Sequence, residues 1–240
     1  MADMRKMLLA AGIPLTEESL EKLNTYHEML LDWNTRMDLT SVSEEHMAVR
    51  HFMDSLLPLT QEGLFPEGIR LIDVGTGAGF PGLPLAIARP DLKVTLLEAQ
   101  GKRCQFLNAV CQALSLSNVE IINDRAEVLG QKEGYREGFD RAVARAVAPL
   151  NILCEYLLPF VKEGGAVLCW KGPAVIEEMK DGEAAAHMLG GKMGALLDMP
   201  LPGMDTRHVV AQIHKIEKTL PQYPRKNGIP AKRPLKADKK

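Results

Sequence analysis

Between Leu71 and Pro84 the chain reads LIDVGTGAGFPGLP, with Gly75, Gly77 and Gly79 at alternate positions and Gly82 following. So many residues without side chains mark a backbone that turns tightly or lets something press against it. Asp73 stands two residues before the first of these glycines, Glu98 closes the next apolar run, and NDRAE at Asn123–Glu127 closes the one after. A carboxylate at the position of Glu98 accepts both hydroxyls of a ribose, so the pattern suits a nucleoside-containing ligand. Read from Gly77, GAGFPG satisfies GxGxxG, which taken alone is a weak signal. Arg145 in ARAVA and Lys171 in WKG end two later apolar runs and are candidates for a base edge or a phosphate. His51, Asp54 and Ser55 share one helical turn, and three such neighbours do not form a Ser–His–Asp line. His46, Arg50 and Asp54 follow one another at i, i+4 and i+8, an ion-paired face. Arg36, Lys102, Arg103, Arg125 and Arg141 are either phosphate contacts or plain surface charge. Cys104, Cys111, Cys154 and Cys169 show no CxxC and no Cys/His spacing, so no metal site is expected and the thiols read as free and buried.

The elements that must position these residues follow from the hydrophobic pattern. LTEESLEKLNTYHEMLLDWN is a helix with Thr16 as N-cap and Glu17 and Glu18 in its first turn; SVSEEHMAVRHFMDSLLPL repeats the device with Ser43 as cap. From Leu71 the texture changes to strands (RLIDVG, KVTLLEA, VEIIND, FDRAVARAV, GGAVLCWKG) alternating with helical stretches. That alternation predicts an α/β fold, a doubly wound, mostly parallel sheet with a helical N-terminal extension. RHVVAQIHKI is a late strand, for which an antiparallel partner near GALLDMP is expected. In such sheets ligands sit beyond the carboxyl ends of the strands, where the glycine turn lies.

The totals are those of an ordinary soluble protein: 240 residues, 46% hydrophobic and 25% charged. The net charge of −2 is unevenly spread: Arg225–Lys240 carries seven Lys or Arg against Asp238, a net of +6, leaving −8 (−2 less +6) on the rest. A basic tail on an acidic body points toward a polyanion, or is a solvated terminus. No signal peptide and no apolar run of membrane-spanning length is seen, so a cytoplasmic protein is expected.

Two ligands compete for the loop. Read from Asp73 it is D-x-G-x-G-x-G, the first motif of S-adenosylmethionine-dependent methyltransferases; read as GxGxxG it would serve an NAD-dependent oxidoreductase. A methionine-derived ligand needs backbone N–H groups for its carboxylate and an acid near its ammonium, which Asp73 supplies or organises. A pyrophosphate is repelled by that aspartate unless its side chain turns away. NDRAE lies where methyltransferases surround the adenine, and with about one doubly wound unit read here, no second domain for a hydride acceptor is expected.

These residues carry a close resemblance to the bacterial small-subunit rRNA methyltransferase G family, also called glucose-inhibited division protein B, whose members methylate N7 of one guanosine in 16S rRNA. WNTRMDLTSV is similar to the family's W-N-x-x-x-N-L-T, with Asp38 where Asn is usual, and RHFMDSL, DVGTGAGFPGLPLAI, GKRCQFL, FDRAVARAVAPL and WKG resemble its further segments. The resemblance implies S-adenosyl-L-methionine as cofactor, with contacts at Gly75, Phe80, Ala126, Glu127 and Arg145 and Glu98 at the ribose; Asp73, Gly77 and Gly79 complete the expected cofactor set. It implies 16S rRNA as partner, in a small ribosomal subunit or an assembly intermediate. The expected division is a helical extension over 1–64, a methyltransferase domain over 65–218 and a basic tail over 219–240. Guanine N7 offers an unprotonated lone pair, so no general base is required. The fourth strand accordingly ends in ARAVAP, not the [Asp/Asn]-Pro-Pro-[Tyr/Phe] of exocyclic-amine methylases, and no Cys precedes Pro149. Alignment is then the protein's task, with Arg145 and Lys171 as the candidate catalytic residues. A non-catalytic RNA-binding assembly factor that has kept the pocket is the remaining alternative.

Overall fold

The computed structural model describes residues 2–145 and 148–237; Ala146 and Val147 of the fourth-strand signature, and the tail's residues 238–240, lie outside them. Helix α1 (Ala2–Ala10) and α2 (Glu17–Asn34) are followed by a helix that winds as α3 (Glu44–Met47), a π turn (Ala48–Met53) and α4 (Asp54–Leu56). Then come β1 (Arg70–Val74), α5 (Gly82–Ala88), β2 (Lys93–Glu98), α6 (Gly101–Ala113), β3 (Val119–Asn123), α7 (Ala126–Leu129) and β4 (Phe139–Arg145). The rest is α8 (Leu150–Leu157), β5 (Val161–Lys171), α9 (Val175–Met188), β6 (Gly191–Asp198), β7 (Val209–Lys215) and α10 (Ile229–Lys232).

The seven strands form one sheet in the order β3-β2-β1-β4-β5-β7-β6. β1 runs parallel to both β2 and β4, with Ile72 opposite Thr95 and Ala142. β7 lies antiparallel between β5 and β6, the late pairing expected from RHVVAQIHKI and GALLDMP. The strand order reverses between β1 and β4, and the crevice at that switch point opens at Val74 and Arg145.

Strand residues alternate between two apolar cores because successive side chains point to opposite faces. Leu71, Val143 and Leu168 meet α1, α2, α5 and α6 on one face; Ile72, Ala142 and Val167 meet α8 and α9 on the other. Burial on both faces is why these strands read as continuous apolar runs.

α2 starts as its sequence predicts: Thr16 Oγ1 accepts the Ser19 amide at 3.1 Å, and Glu17 and Glu18 occupy the first turn. Its buried stripe includes Leu20, Leu23, Tyr26 and Leu30. Tyr26, fully buried, donates its hydroxyl to the Ala78 carbonyl at 2.5 Å and stacks on Phe80 at 5.2 Å. The N-terminal helices therefore brace the glycine loop directly. The next helix departs from expectation. Ser43 stands at the N-cap but pairs through Oγ with His46 Nδ1, and the winding over Ala48–Met53 is π rather than α. π turns are frequent at functional sites, and this one carries His51 onto the Phe80 ring at 4.5 Å.

Gly79 shows what presses on the loop at that point. Its φ is +104°, and a Cβ there would lie 2.5 Å from Leu83 Cδ1 and 2.7 Å from the Tyr26 hydroxyl. Gly77, at φ +61°, has only Arg103 Nη1 at 3.9 Å. Gly79→Ala is expected to cost about 3 kcal/mol or more, from a strained backbone plus the clash, whereas Gly77→Ala costs about 1–2 kcal/mol for the left-handed backbone alone. Urea unfolding of the two variants checks the difference.

Candidate active site

The loop after β1 folds on itself. The amides of Gly75 and Thr76 donate to the Leu97 carbonyl at 2.8 and 3.2 Å, and those of Gly79 and Phe80 to the Thr76 carbonyl at 2.9 and 3.0 Å. The Gly77 amide donates to Glu98 Oε2 at 2.9 Å, while Oε1 of the same carboxylate accepts the Gln100 amide at 2.8 Å. Asp73 is fully buried beneath the loop. Its Oδ2 accepts the Thr76 hydroxyl at 2.6 Å and the Gly82 amide at 2.8 Å, and a Cβ on Gly82 would meet it at 2.7 Å. Burial raises the Asp73 carboxyl to about 6, against the pull of those two hydrogen bonds. A dinucleotide's pyrophosphate sits on free loop amides at the start of the first helix. Here the amides of Gly75, Thr76, Gly77, Gly79 and Phe80 are spent within the protein, and the protein's own carboxylate holds the first amide of α5. The dinucleotide reading of GAGFPG loses its physical basis.

Two recesses border this loop, and another adjoins one of them. One of about 430 Å³ is lined by Gly75, Gly77, Phe80, Glu98, Arg103 and Arg145 among others. A second, of about 590 Å³, shares Arg103 and Arg145 with it and adds Asp38, Asp54, Trp170, Lys171 and His208. The third, of about 270 Å³, opens on the other side of Gly75 between Leu97, Ala126, Glu127, Ile152 and Tyr156. Gly75 thus belongs to the first and third recesses, and Arg145 to the first and second.

Arg145 is held from several sides. Nη1 donates to Asp54 Oδ2 at 2.9 Å and to the Arg50 carbonyl at 2.7 Å; Nη2 faces His51 Nδ1 at 2.9 Å, and the guanidinium lies 5.0 Å over the Phe80 ring. With its Nδ1 facing a permanent donor, His51 is the neutral tautomer whose Nε2–H donates to Thr40 Oγ1, 2.7 Å away. Burial first, and then the Arg145 charge, lower the His51 pKa to about 3. Asp54 is anchored in turn, its carbonyl accepting the Trp170 indole N–H at 2.8 Å. Lys171 lines the second recess, and its ammonium is held outside that lining by Glu178 at 2.7 Å and the Ala148 carbonyl at 3.1 Å.

Residues 19–209 match the family model of GidB, the rRNA small subunit methyltransferase G. A ribosomal RNA small subunit methyltransferase G from Alkaliphilus oremlandii is 47% identical over 94% of this chain and 94% of its own length. Relatives of the same name from Leuconostoc citreum and Bacillus cereus are 46% and 42% identical, over 94% and 96% of this chain and 95% and 97% of their own. The chain belongs to the rRNA small subunit methyltransferase G family. Its fold also matches solved structures of M. jannaschii TYW2 in complex with AdoMet (TM-score 0.52, 18% identity, 74% of this chain and 79% of that one) and of a mutant of MtNAS in complex with S-adenosylmethionine (TM-score 0.54, 17% identity, 89% and 77%).

In this methyltransferase G chain the residues singled out from sequence separate into groups. Gly75, Gly77, Phe80, Glu98 and Arg145 come together around the first recess, Ala126 and Glu127 line the third, and Lys171 lines the second. Asp73 and Gly79 stand behind the loop and line none of the three, Asp73 bonded to Thr76 and Gly82 and Gly79 packed on Tyr26 and Leu83. Arg141 is spent at the opposite end of β4, donating to the Leu64 and Asp140 carbonyls. Sequence reasoning gave no site role to Thr40, Trp170 or His208, and read His51 and Asp54 as a helix face; RHFMDSL was the signal available for the last two. Among the described residues no group of three or more His, Cys, Asp or Glu is arranged for a metal ion, and no helix is long and apolar enough to cross a membrane.

His51 gives this site a pH signature. Unfolded, it takes a proton near 6.5; folded, it resists protonation down to about 3. Between those values the unfolded chain binds more protons, so stability falls as pH drops, by up to about 1.4 kcal/mol per pH unit. Asp73, with its carboxyl raised, pulls the other way between 3.8 and about 6. The readout is therefore the difference between wild type and His51→Gln: urea unfolding at pH 7.5 and 5.5 should show a stability loss smaller by about 1.4 kcal/mol in the variant.

Proposed function

We propose that this protein transfers a methyl group from S-adenosylmethionine to N7 of a guanosine in 16S rRNA, in the cytoplasm, on a small-subunit particle or an assembly intermediate. Family membership supports the reaction class. The observation that carries the site assignment is Arg145, one side chain that lines both the recess at the glycine loop and the neighbouring recess beside Trp170 and Lys171.

The fit to the cofactor rests on the donor set. Glu98 has a carboxylate at the ribose position whose remaining lone pairs accept hydroxyls, Ala126 and Glu127 line a cavity of adenine size, and Arg103 and Arg145 offer positive charge to the methionine carboxylate. Because the amides of Gly75, Thr76 and Gly77 are already bonded, these arginines take the role expected of the amides. When bound, the cofactor supplies an electrophilic methyl whose sulfur leaves without protonation.

The chain's own residues then supply alignment. In this reading Arg145 and Lys171 face the base, Arg145 toward O6 as arginines commonly bind guanine. His51 stays neutral and Asp54 stays paired with Arg145, so neither is a free base. That suits N7, which carries no proton to remove. In this reading the division is a helical extension over 1–64 that braces the loop and holds Arg145, a methyltransferase domain over 65–218 that carries the glycine loop, Glu98 and Arg145, and a tail over 219–240.

Arg145→Lys keeps the charge and loses the fork that joins Asp54, His51 and the Arg50 carbonyl. Methyl transfer from labelled S-adenosylmethionine to under-modified small subunits is expected to fall about 100-fold. Nuclease digestion and mass spectrometry locate the label in the wild-type reaction, and a methyl on any atom but guanine N7 would refute the regiochemistry.

A further inference from the structure

The segment after β7 does not trail away. Arg136 donates to the Thr219 and Tyr223 carbonyls, each at 2.7 Å, and Gln131 Nε2 to the Pro224 carbonyl at 3.0 Å. Arg225 then closes a two-point ion pair on Glu155, Nε to Oε1 at 2.8 Å and Nη2 to Oε2 at 2.5 Å, while its amide also donates to Oε1. Glu155 is fully buried, so this carboxylate has no water to fall back on, and a buried charge left unpaired is strongly destabilising. Farther on, the Asn151 amide group donates to the Leu235 carbonyl at 2.6 Å, and the Ala237 amide to Asp181 at 3.1 Å.

Between these anchors the segment meets the third recess. Gly228, at φ +77°, donates its amide to Glu127 Oε1 at 2.9 Å and starts α10, and Ala231 of α10 lines the cavity with Val74, Gly75, Leu97 and Glu127. Ala231 is itself exposed, which sets it at the mouth of the cavity and not in its floor.

We propose that residues 225–235 are part of the nucleoside site: α10 forms the outer wall of the adenine cavity, and the Gly228–Glu127 hydrogen bond holds that wall in register with the carboxylate beside the base. Gly228 and Ala231 are on this account positioning residues for the cofactor. The basic tail, read from sequence as a polyanion contact or a solvated end, spends Arg225 on the protein and serves the small ligand. The inference rests on the reading of the third recess as the adenine subsite.

Gly228→Pro removes the amide donor, puts a ring carbon where that donor faced Glu127 and cannot adopt the positive φ, while a Cβ at the position would meet nothing within 4 Å. Calorimetric titration of the full chain with S-adenosylhomocysteine and with 5′-methylthioadenosine, which lacks the amino-acid end, is the test. Wild type binding neither ligand would refute the proposed function itself. Given wild-type binding, the variant should bind both at least tenfold more weakly. Affinities within twofold of wild type, or a loss confined to S-adenosylhomocysteine, would overturn the role of the tail. Hydrogen exchange on the unaltered chain gives an independent answer: either ligand should slow the amides of 228–233, and unchanged exchange there overturns the proposal whatever the variant does.

Discussion

The carboxylate of Asp73, buried under the glycine loop, joins β1 to Thr76 in the loop and to the first amide of α5. Everything built on the loop depends on that three-way tie. It occupies the helix start that a pyrophosphate would otherwise take, and it fixes the turn so that Gly75 and Gly77 open toward recesses. Its Oδ1 has no partner among the described residues, and burial has raised its pKa to about 6, so the tie is made at an electrostatic cost that the surrounding packing sustains. Tyr26 supplies part of that packing from outside the sheet, pressing on Gly79 and bonding the Ala78 carbonyl.

A second assembly mirrors the first across the crevice. Arg145 at the end of β4 is gripped by Asp54, His51 and the Arg50 carbonyl, all from the helix that carries the π turn. The N-terminal helices thus reach both sides of the switch point: Tyr26 holds the loop at β1, and His51 with Asp54 holds the arginine at β4. Phe80 lies between them, stacked on Tyr26 and on His51 with the guanidinium above it. A displacement in the extension therefore reaches the loop and the recess beside Trp170 together.

Much of the architecture was legible in the residues because it rests on local pattern. Apolar runs buried on both faces announce parallel strands, Thr16 with Glu17 and Glu18 announces a helix start, and the glycine string announces a turn at a strand's carboxyl end. Ser43 reads as a second cap, but its hydroxyl pairs with the His46 ring, and the π winding beyond it goes with His51 stacked on Phe80, a residue distant in the chain. Gly79 and Asp73 were legible as necessary but not as to why, since their neighbours, Tyr26, Leu83 and Gly82, are brought to them by folding.

The class of sheet, the loop, and the carboxylates and basic residues at the strand ends are therefore readable from the residues in order, because they follow from periodicity and short-range chemistry. Only the tertiary structure decided which of those residues share a cavity. It set Arg145 between two recesses, turned Asp73 inward, spent Arg141 on the far end of its strand, and carried Ala231 back to the mouth beside Glu127. These are contacts between residues as far apart in the chain as Gly228 and Glu127. No local propensity encodes them; they exist because burying both faces of one sheet leaves each segment few places to lie.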